Sequence, residues 1–198
     1  EGRRLNYTKM LRPILGKPMM FWTLDAICAS GFNPQDVIVV IGYKVDLMRS
    51  WLKKYDSRLN IVENPNYKNE MFSSIKAGIH HLPEGTRNVL IVLGDQPLVK
   101  PETIKAILLK QNPLKVVQPV YKDKRYHPLL IPEPMIEAIR CAPLNYTLKD
   151  MMPPPEERIL VPVDDEGVAL DVDTPDDLKK TESILKIRLQ EADEGLAH

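Results

Sequence analysis

Short aliphatic runs alternate along this chain with longer stretches in which apolar residues recur every three or four positions. Residues 37–41 and 89–93 each hold five consecutive Val, Ile or Leu residues, and a glycine follows each run directly. Five residues are too few for a typical helix, and runs without polar alternation are typical of parallel strands buried by helices on both faces. We therefore predict two central strands at these positions.

Helical spacing of apolar residues predicts helices between and after these strands. They are predicted at residues 19–29, 45–55, 70–81, 101–110, 134–140 and 145–152. A last helix begins after Thr174, the predicted N-cap, with Pro175 at its first position and Asp177 as the reciprocal capping partner. Shorter strands are predicted at residues 60–62, 114–120, 127–131 and 159–163. Strands alternating with helices predict one α/β domain over residues 1–198, with a mostly parallel sheet and helices on both faces.

The start of the chain lacks the buried strand with which such a domain ordinarily begins. Residues 1–9 are mostly polar, and residues 10–18 contain two prolines and a glycine. Both segments have loop composition. Either the first strand precedes Glu1 and is absent from this sequence, or it does not exist, and we favour its absence from the sequence.

The charge balance excludes a general attraction to nucleic acid or to anionic membranes. Lys plus Arg and Asp plus Glu number 27 each, so an anionic ligand would need a local cluster of cations. Cys28 and Cys141 are the only cysteines and have no CxxC spacing, so we expect two buried thiols in a reducing compartment. No apolar run approaches the length of a membrane span, and nothing resembles a signal peptide. We therefore expect a soluble cytoplasmic protein with neither nucleic acid nor membrane as a partner.

A carboxylate follows the second central strand at the position where α/β proteins bind ligands. Asp95 comes one residue after the run 89–93, between Gly94 and the pair Gln96-Pro97. Ligands of open α/β sheets collect at the carboxyl ends of strands, which makes Asp95 the first catalytic candidate. Taken alone, the segment is better explained as a turn, and the rest of the chain favours the catalytic interpretation.

Three cations and a glycine lie within the first nine residues, at Gly2, Arg3, Arg4 and Lys9. Two guanidinium groups and an ammonium on a flexible loop can wrap a polyphosphate, and glycine lets the backbone approach it closely. An ordinary basic terminus without a ligand is an equally good interpretation.

A second acidic site precedes the last predicted helix. Alternation along an extended segment sends Asp171 and Asp173 to the same side of the chain. Together with Asp95 they could hold a hard divalent cation and leave positions for phosphate oxygens and water, as Mg²⁺ prefers. Asp173 could instead simply precede a capped helix, a frequent position for Asp. Because two acids lie on one face, we favour the metal-binding interpretation.

Two further sets of polar residues give weaker indications of a function. His127, before Pro128, could line a substrate pocket, although a lone histidine is more often structural. Asn64 with Ser73 and Ser74 flanks a helix start, where free amide groups favour an anion or the polar edge of a base. Ordinary capping explains these three residues equally well.

The candidate motifs occur in an order that one enzyme family shares, over residues 2–178. They are Gly2-Arg3-Arg4 with Lys9, Gly16-Lys17-Pro18, Asn64-Pro65, Ser73-Ser74 with Gly78, Gly94-Asp95-Gln96-Pro97-Leu98, His127-Pro128 and Asp171-Val172-Asp173-Thr174-Pro175-Asp176-Asp177-Leu178. With this set the chain resembles the MobA-like nucleotidyltransferases, and within them the molybdenum cofactor cytidylyltransferase branch.

The resemblance implies a Rossmann-like nucleotidyltransferase domain whose N-terminal glycine-rich loop binds a nucleoside triphosphate. It implies catalytic roles for Lys9, Asp95 and Asp173, with Mg²⁺ held by Asp95 and Asp173 and with Asp171 as a further metal candidate. The implied nucleotide-binding residues are Gly2, Arg3, Arg4, Lys9, Asn64, Ser73, Ser74 and Gly94. The implied acceptor-binding residues are Gln96, Pro97 and His127.

The expected reaction is transfer of a nucleoside monophosphate from CTP, GTP or another NTP to a phosphorylated acceptor, with release of pyrophosphate. The expected acceptor is of the molybdopterin type, and the expected partners include a molybdoenzyme or its chaperone. Two alternatives remain open. One is a sugar-phosphate or alcohol-phosphate nucleotidyltransferase with the same machinery, and the other is a non-catalytic module that binds a nucleotide or pterin and delivers it.

Overall fold

The computed structural model describes residues 8–195 of the 198-residue chain. The strands in this part are β1 Pro13–Ile14, β2 Lys17–Pro18, β3 Ile38–Ile41, β4 Asn60–Glu63, β5 Asn88–Ile91, β6 Val117–Tyr121, β7 Lys124–Arg125, β8 Leu129–Pro132 and β9 Ile159–Pro162. The α-helices are α1 Met19–Ala29, α2 Val45–Tyr55, α3 Glu70–Ile79, α4 Pro101–Leu108, α5 Glu133–Cys141, α6 Leu148–Met151 and α7 Pro175–Gly195. Short 3₁₀ helices lie at Lys9–Leu11, Pro34–Asp36, Pro155–Glu157 and Glu166–Ala169.

The larger sheet is mixed rather than mostly parallel. Its strand order is β5-β8-β6-β7, and β9 pairs with β6. β8 runs antiparallel to both β5 and β6, whereas β9 runs parallel to β6 and β3 runs parallel to β4. Lys122 and Asp123, at φ 47° and 62°, turn the chain tightly between β6 and β7. A connection this short permits only antiparallel pairing, because a parallel crossover needs a dozen or more residues. The predicted α/β class is confirmed.

Helices cover both faces of the larger sheet, as predicted. Alternation along β5 sends Val89 and Ile91 to the face covered by α3 and α5, where Ile136 and Ile139 are fully buried. Leu90 points to the opposite face, against α1 and α4. β5 is therefore held in place from both sides, and its carboxyl end leads directly to Asp95.

Local signals predicted several boundaries well. The bounds of α1 and α2 coincide with the prediction. The cap of α7 is also as predicted: the Asp177 carboxylate accepts from the amide and the hydroxyl of Thr174, whose hydroxyl accepts from the Asp177 amide. The helix predicted at residues 145–152 is a single turn, because the capping box of Thr147 and Asp150 starts it only at Leu148.

The thiols are less buried than the sequence predicted. Cys141 is exposed and Cys28 is half-buried, and both are free. The expectation of two buried thiols was therefore wrong for Cys141, because it lies at the last position of α5, beyond the core-facing Ile139. No helix within residues 8–195 has both the length and the apolar composition needed to cross a membrane.

Candidate functional site

The predicted catalytic residues Lys9, Asp95 and Asp173 meet at the carboxyl end of β5. The Lys9 Nζ atom lies 2.6 Å from Oδ2 of Asp95 and 2.5 Å from Oδ1 of Asp173. Lys9 opens a 3₁₀ helix, Asp95 follows β5, and Asp173 precedes α7, so three distant parts of the chain supply the cluster. The fold therefore assembles one ammonium and two carboxylates where α/β sheets bind ligands.

Backbone hydrogen bonds hold the two acidic segments together. The Val172 amide donates to the carbonyl oxygen of Asp95 at 3.0 Å, which ties the segment before α7 to the loop after β5. Val172 is buried, whereas Asp171 and Asp173 on either side of it are exposed. Burial thus alternates along this segment, as it does along an extended chain. Thr23 of α1 donates to the Gly94 carbonyl at 3.3 Å and holds the start of the same loop.

The carboxylates keep Lys9 charged. Partial burial on its own would lower the pKa of Lys9, but hydrogen bonds to Asp173 and Asp95 and the negative charges of both outweigh that effect. The pKa of Lys9 is therefore raised above its ordinary value of 10.5. An ammonium in this position can neutralise phosphate oxygens at any physiological pH.

The donor set suits a hard divalent cation. Asp95 and Asp173 each have a carboxylate oxygen within 2.6 Å of one nitrogen atom, so both oxygens already converge on a single cation. Mg²⁺ is commonly held by one or two carboxylates and takes its remaining ligands from substrate phosphates and water. Among residues 8–195 no cluster of three or more His, Cys, Asp or Glu side chains has metal-binding geometry. The residues therefore fit a two-carboxylate site that substrate completes.

Asp171 and Gln96 are paired with each other beside this cluster. The Gln96 side chain is buried and donates to Asp171 at 2.8 Å and to the Val168 carbonyl at 3.1 Å. Its oxygen is buried without a partner in the part of the chain that the structure describes. Pro97 is buried as well. These contacts stabilise the loop after β5, and the metal role of Asp171 and the acceptor roles of Gln96 and Pro97 stay predictions.

His127 lies two residues before β8, the strand next to β5, and near the same acidic residues. Burial lowers the pKa of His127 below its ordinary value of 6.5, and this effect outweighs a contact with the Ile91 backbone and the charges of Asp171 and Asp95. The peptide bond between His127 and Pro128 is cis. The structure thus places a neutral imidazole near the site, and its contact with an acceptor stays a prediction.

Asn64, Ser73 and Ser74 form a separate group, in which Asn64 and Ser73 are buried and Ser74 is half-buried. The Asn64 side-chain amide donates to the hydroxyls of Ser73 and Ser74 at 2.9 Å and 3.0 Å. The Ser73 hydroxyl in turn donates to the Asn69 carbonyl at 2.6 Å. These bonds tie the end of β4 to the start of α3, and within residues 8–195 no hydrogen bond joins the group to Lys9. Their nucleotide-binding role stays a prediction, as does that of Gly94. Gly2, Arg3 and Arg4 lie outside the described residues.

Sequence reasoning missed the buried carboxylate that positions the acidic segment. Asp165 is 1% exposed and accepts hydrogen bonds from the Lys100 amide, the Thr103 hydroxyl and the Gly167 amide. Arg188 of α7 lies 3.7 Å from Asp165 and donates to the Leu98 carbonyl at 2.7 Å. The sequence does contain a turn signal at residues 164–167. The partners on α4 and α7 are distant in sequence, so no local pattern could have revealed them.

Residues 1–159 match the MobA-like NTP transferase domain. The chain belongs to the MobA-like NTP transferase family. Among curated relatives, it is 35% identical over 116 residues to the bifunctional protein GlmU of Pseudomonas paraeruginosa. That alignment covers 57% of this chain and 24% of GlmU, so the chain spans about a quarter of the length of that relative.

Solved structures share the nucleotidyltransferase-type fold at low sequence identity. Rv0371c of Mycobacterium tuberculosis in complex with manganese superposes with a TM-score of 0.70 at 20% identity, over 87% of this chain and 89% of that one. The molybdopterin-guanine dinucleotide biosynthesis protein A of Archaeoglobus fulgidus has a TM-score of 0.63 at 19% identity, over 93% and 94%. At these identities the likeness establishes the fold alone.

Proposed function

We propose that this protein is a divalent-metal-dependent nucleotidyltransferase that uses CTP or GTP and a phosphorylated acceptor of the molybdopterin type. The observation that carries the proposal is the convergence of Lys9, Asp95 and Asp173 at the end of β5, in a chain of the MobA-like family. A solved structure of the same fold contains manganese, and another is named as a molybdopterin-guanine dinucleotide biosynthesis protein, which supports the metal and the acceptor class.

The proposed reaction needs alignment and charge neutralisation rather than a covalent enzyme intermediate. An oxygen of the acceptor phosphate attacks the α-phosphorus of the NTP, the bond from that phosphorus to the bridging oxygen breaks, and pyrophosphate leaves with the electron pair. Asp95 and Asp173 would hold Mg²⁺, which when bound neutralises and aligns phosphate oxygens. Lys9 would contribute its charge to the triphosphate, and Val172 keeps the two acidic segments at a fixed separation.

The setting and partners follow from the same proposal. We place the reaction in the cytoplasm, with a molybdoenzyme or its chaperone as the recipient of the product. A sugar-phosphate or alcohol-phosphate acceptor would use the same carboxylates and the same ammonium, so the acceptor is the part of the proposal that needs a direct test.

Pyrophosphate release tests the proposal. The purified protein should release pyrophosphate from CTP or GTP with Mg²⁺ only when a molybdopterin-type acceptor is present. Asp95→Asn should abolish release without changing the circular dichroism spectrum, whereas Asp193→Asn, on the exposed end of α7, should behave like the parent protein. Pyrophosphate release with a sugar phosphate instead of a molybdopterin-type compound would change the acceptor class. Nucleotide binding without pyrophosphate release, for every pair of nucleotide and acceptor, would favour the non-catalytic module that binds a nucleotide or pterin and delivers it.

A further inference from the structure

One small hydrophobic core joins the three segments of the candidate site to α7. It contains Ile14 of β1, Leu98 from the loop after β5, Val172 from the segment before α7, and Leu185 from the middle of α7. These four side chains are at most 5% exposed. Tightly packed interiors have low compressibility and transmit a displacement from one side chain to the next. The position of α7 therefore affects all three segments at once.

The carbonyl group of Leu98 is held by two contacts. Arg188 of α7 donates a hydrogen bond to its oxygen at 2.7 Å. Gly167 lies so close to it that an added methyl group would be 2.1 Å from the same oxygen. Asp95 lies three residues before Leu98 in the same loop. A shift of this carbonyl group would therefore move the backbone that carries the Asp95 carboxylate.

The guanidinium group of Arg188 is itself fixed by a second partner. One terminal nitrogen contacts Leu98, and the other lies 3.7 Å from the carboxylate of Asp165. The side chains of Arg188 and Asp165 are 26% and 2% exposed. A planar guanidinium presents its donors in a rigid fork, whereas an ammonium is a point charge on a flexible stem. Arg188 therefore ties the Leu98 carbonyl to a buried carboxylate in one geometry.

Glu182 makes a contact from α7 on the side of Lys9. Its Oε1 atom accepts a hydrogen bond from the Leu15 amide at 3.4 Å. Leu15, at φ 50°, lies in the tight turn between β1 and β2, and β1 begins two residues after the 3₁₀ helix that Lys9 opens. Glu182 and Arg188 lie three residues before and after Leu185, so the two polar contacts border the shared core.

We propose that Arg188 and Glu182 are positioning residues of the site. Arg188 sets the distance between the carboxylates of Asp95 and Asp173. Glu182 keeps the hairpin that follows Lys9 against the same helix. Because α7 begins two residues after Asp173, one rigid element carries one carboxylate and holds the segments of the other two groups. The inference rests on the proposed function, in which these three groups bind metal and nucleotide.

Manganese titration tests the role of Arg188 without any need for turnover. Arg188→Leu should weaken Mn²⁺ binding by about tenfold or more, as is typical when a residue that orients metal ligands is removed. Arg188→Lys keeps a charge and one donor, so it should bind Mn²⁺ more tightly than Arg188→Leu. Lys186→Leu, on the exposed face of α7, is the matched control. Ile139→Val, in the core between α5 and the sheet, controls for lost stability alone, and urea unfolding is measured for every variant. Both controls should bind Mn²⁺ like the parent protein.

Nucleotide titration tests the role of Glu182. Glu182→Ala should weaken CTP and GTP binding by roughly two- to tenfold, which corresponds to the loss of one hydrogen bond. It should not weaken Mn²⁺ binding, because both carboxylates stay in place. Glu182→Gln keeps an oxygen that accepts from the Leu15 amide, so it should bind nucleotide like the parent protein. This pair of variants separates the contact from the charge.

Several results would overturn the proposal. Equal Mn²⁺ affinities of Arg188→Leu and Lys186→Leu would remove Arg188 from the site, and equal weakening by Arg188→Leu and Ile139→Val would assign the effect to general stability. Equal nucleotide binding by the alanine and glutamine variants of Glu182 would exclude its contact. Failure of the proposed metal site has a different signature, because Asp95→Asn would then bind Mn²⁺ as tightly as the parent protein, and the positioning roles would fall with it. If only the positioning role is wrong, Asp95→Asn loses Mn²⁺ binding and Arg188→Leu keeps it.

Discussion

The Nζ atom of Lys9 lies 2.6 Å from Oδ2 of Asp95, although the two residues are 86 positions apart. The same nitrogen lies 2.5 Å from Asp173, so the ammonium occupies the point on which both carboxylates converge. A divalent ion bound by both carboxylates would need that point, because two cations cannot occupy it together. Lys9 and the proposed metal would therefore compete for the two carboxylates, and a displaced Lys9 would be available to phosphate.

Removing the ammonium should have opposite effects on metal and nucleotide. Lys9→Met should strengthen Mn²⁺ binding in the absence of nucleotide by about tenfold, because two carboxylates lose their competing cation. It should weaken CTP and GTP binding, because a charge-assisted contact to the triphosphate is lost. Isothermal titration measures both. Lys179→Met, which removes an exposed partner of Asp176, is the matched control and should change neither. Unchanged Mn²⁺ binding in Lys9→Met would contradict the competition.

The two acids before α7 should contribute unequally to metal binding. Asp173 shares Lys9 with Asp95, whereas Asp171 is held by Gln96. Asp173→Asn should therefore raise the Mg²⁺ concentration for half-maximal rate much more than Asp171→Asn. Outer-sphere changes still cost roughly 10 to 100-fold in metal affinity or activity. Rate measured against Mg²⁺ for both variants tests the ranking, with circular dichroism as a check on α7. A larger effect of Asp171→Asn would reverse the assignment.

Asp165 should stabilise the fold and position the metal site. Asp165→Asn should lower the free energy of unfolding by about 2–3 kcal/mol, because hydrogen bonds to a buried charge are weakened. It should also weaken Mn²⁺ binding, because Asp165 anchors the segment that leads to Asp173. The neighbouring Asp164 is exposed, so Asp164→Asn is a matched control with little expected effect. Urea unfolding and Mn²⁺ titration check the two effects. Equal stability of the two variants would exclude the anchoring role.

His127 should make stability depend on pH. Its pKa in the folded protein lies below the ordinary value of 6.5, so the folded state favours the neutral imidazole. The corresponding stabilisation is present above pH 6.5 and is lost as the pH falls through the lowered pKa. His127→Gln should therefore reduce the decline in unfolding free energy between about pH 7 and 5, where histidine titrates. Denaturant unfolding across that range measures it, and an undiminished decline would assign the effect to other groups.

Several features were predictable because their causes are local. The boundaries of α1 and α2 follow from apolar periodicity, and the cap of α7 depends on Thr174 and Asp177, three residues apart. The sheet was less predictable. The composition of residues 127–131 indicates a strand, but its antiparallel pairing with β5 depends on a partner forty positions away. The predicted burial of Cys141 was wrong for a similar reason. Helix periodicity shows which face of a helix is apolar, but it does not show which turn is the last one that the core covers.

The sequence by itself determined the α/β class, the main helices and the identity of the candidate residues Lys9, Asp95 and Asp173. Residue types, spacing and short-range hydrogen bonds suffice for these, since each acts within a few positions along the chain. Only the tertiary structure decided that one ammonium lies between two carboxylates and that Asp165 anchors the acidic segment. These features depend on contacts between segments far apart in sequence, and packing of the whole chain sets their distances.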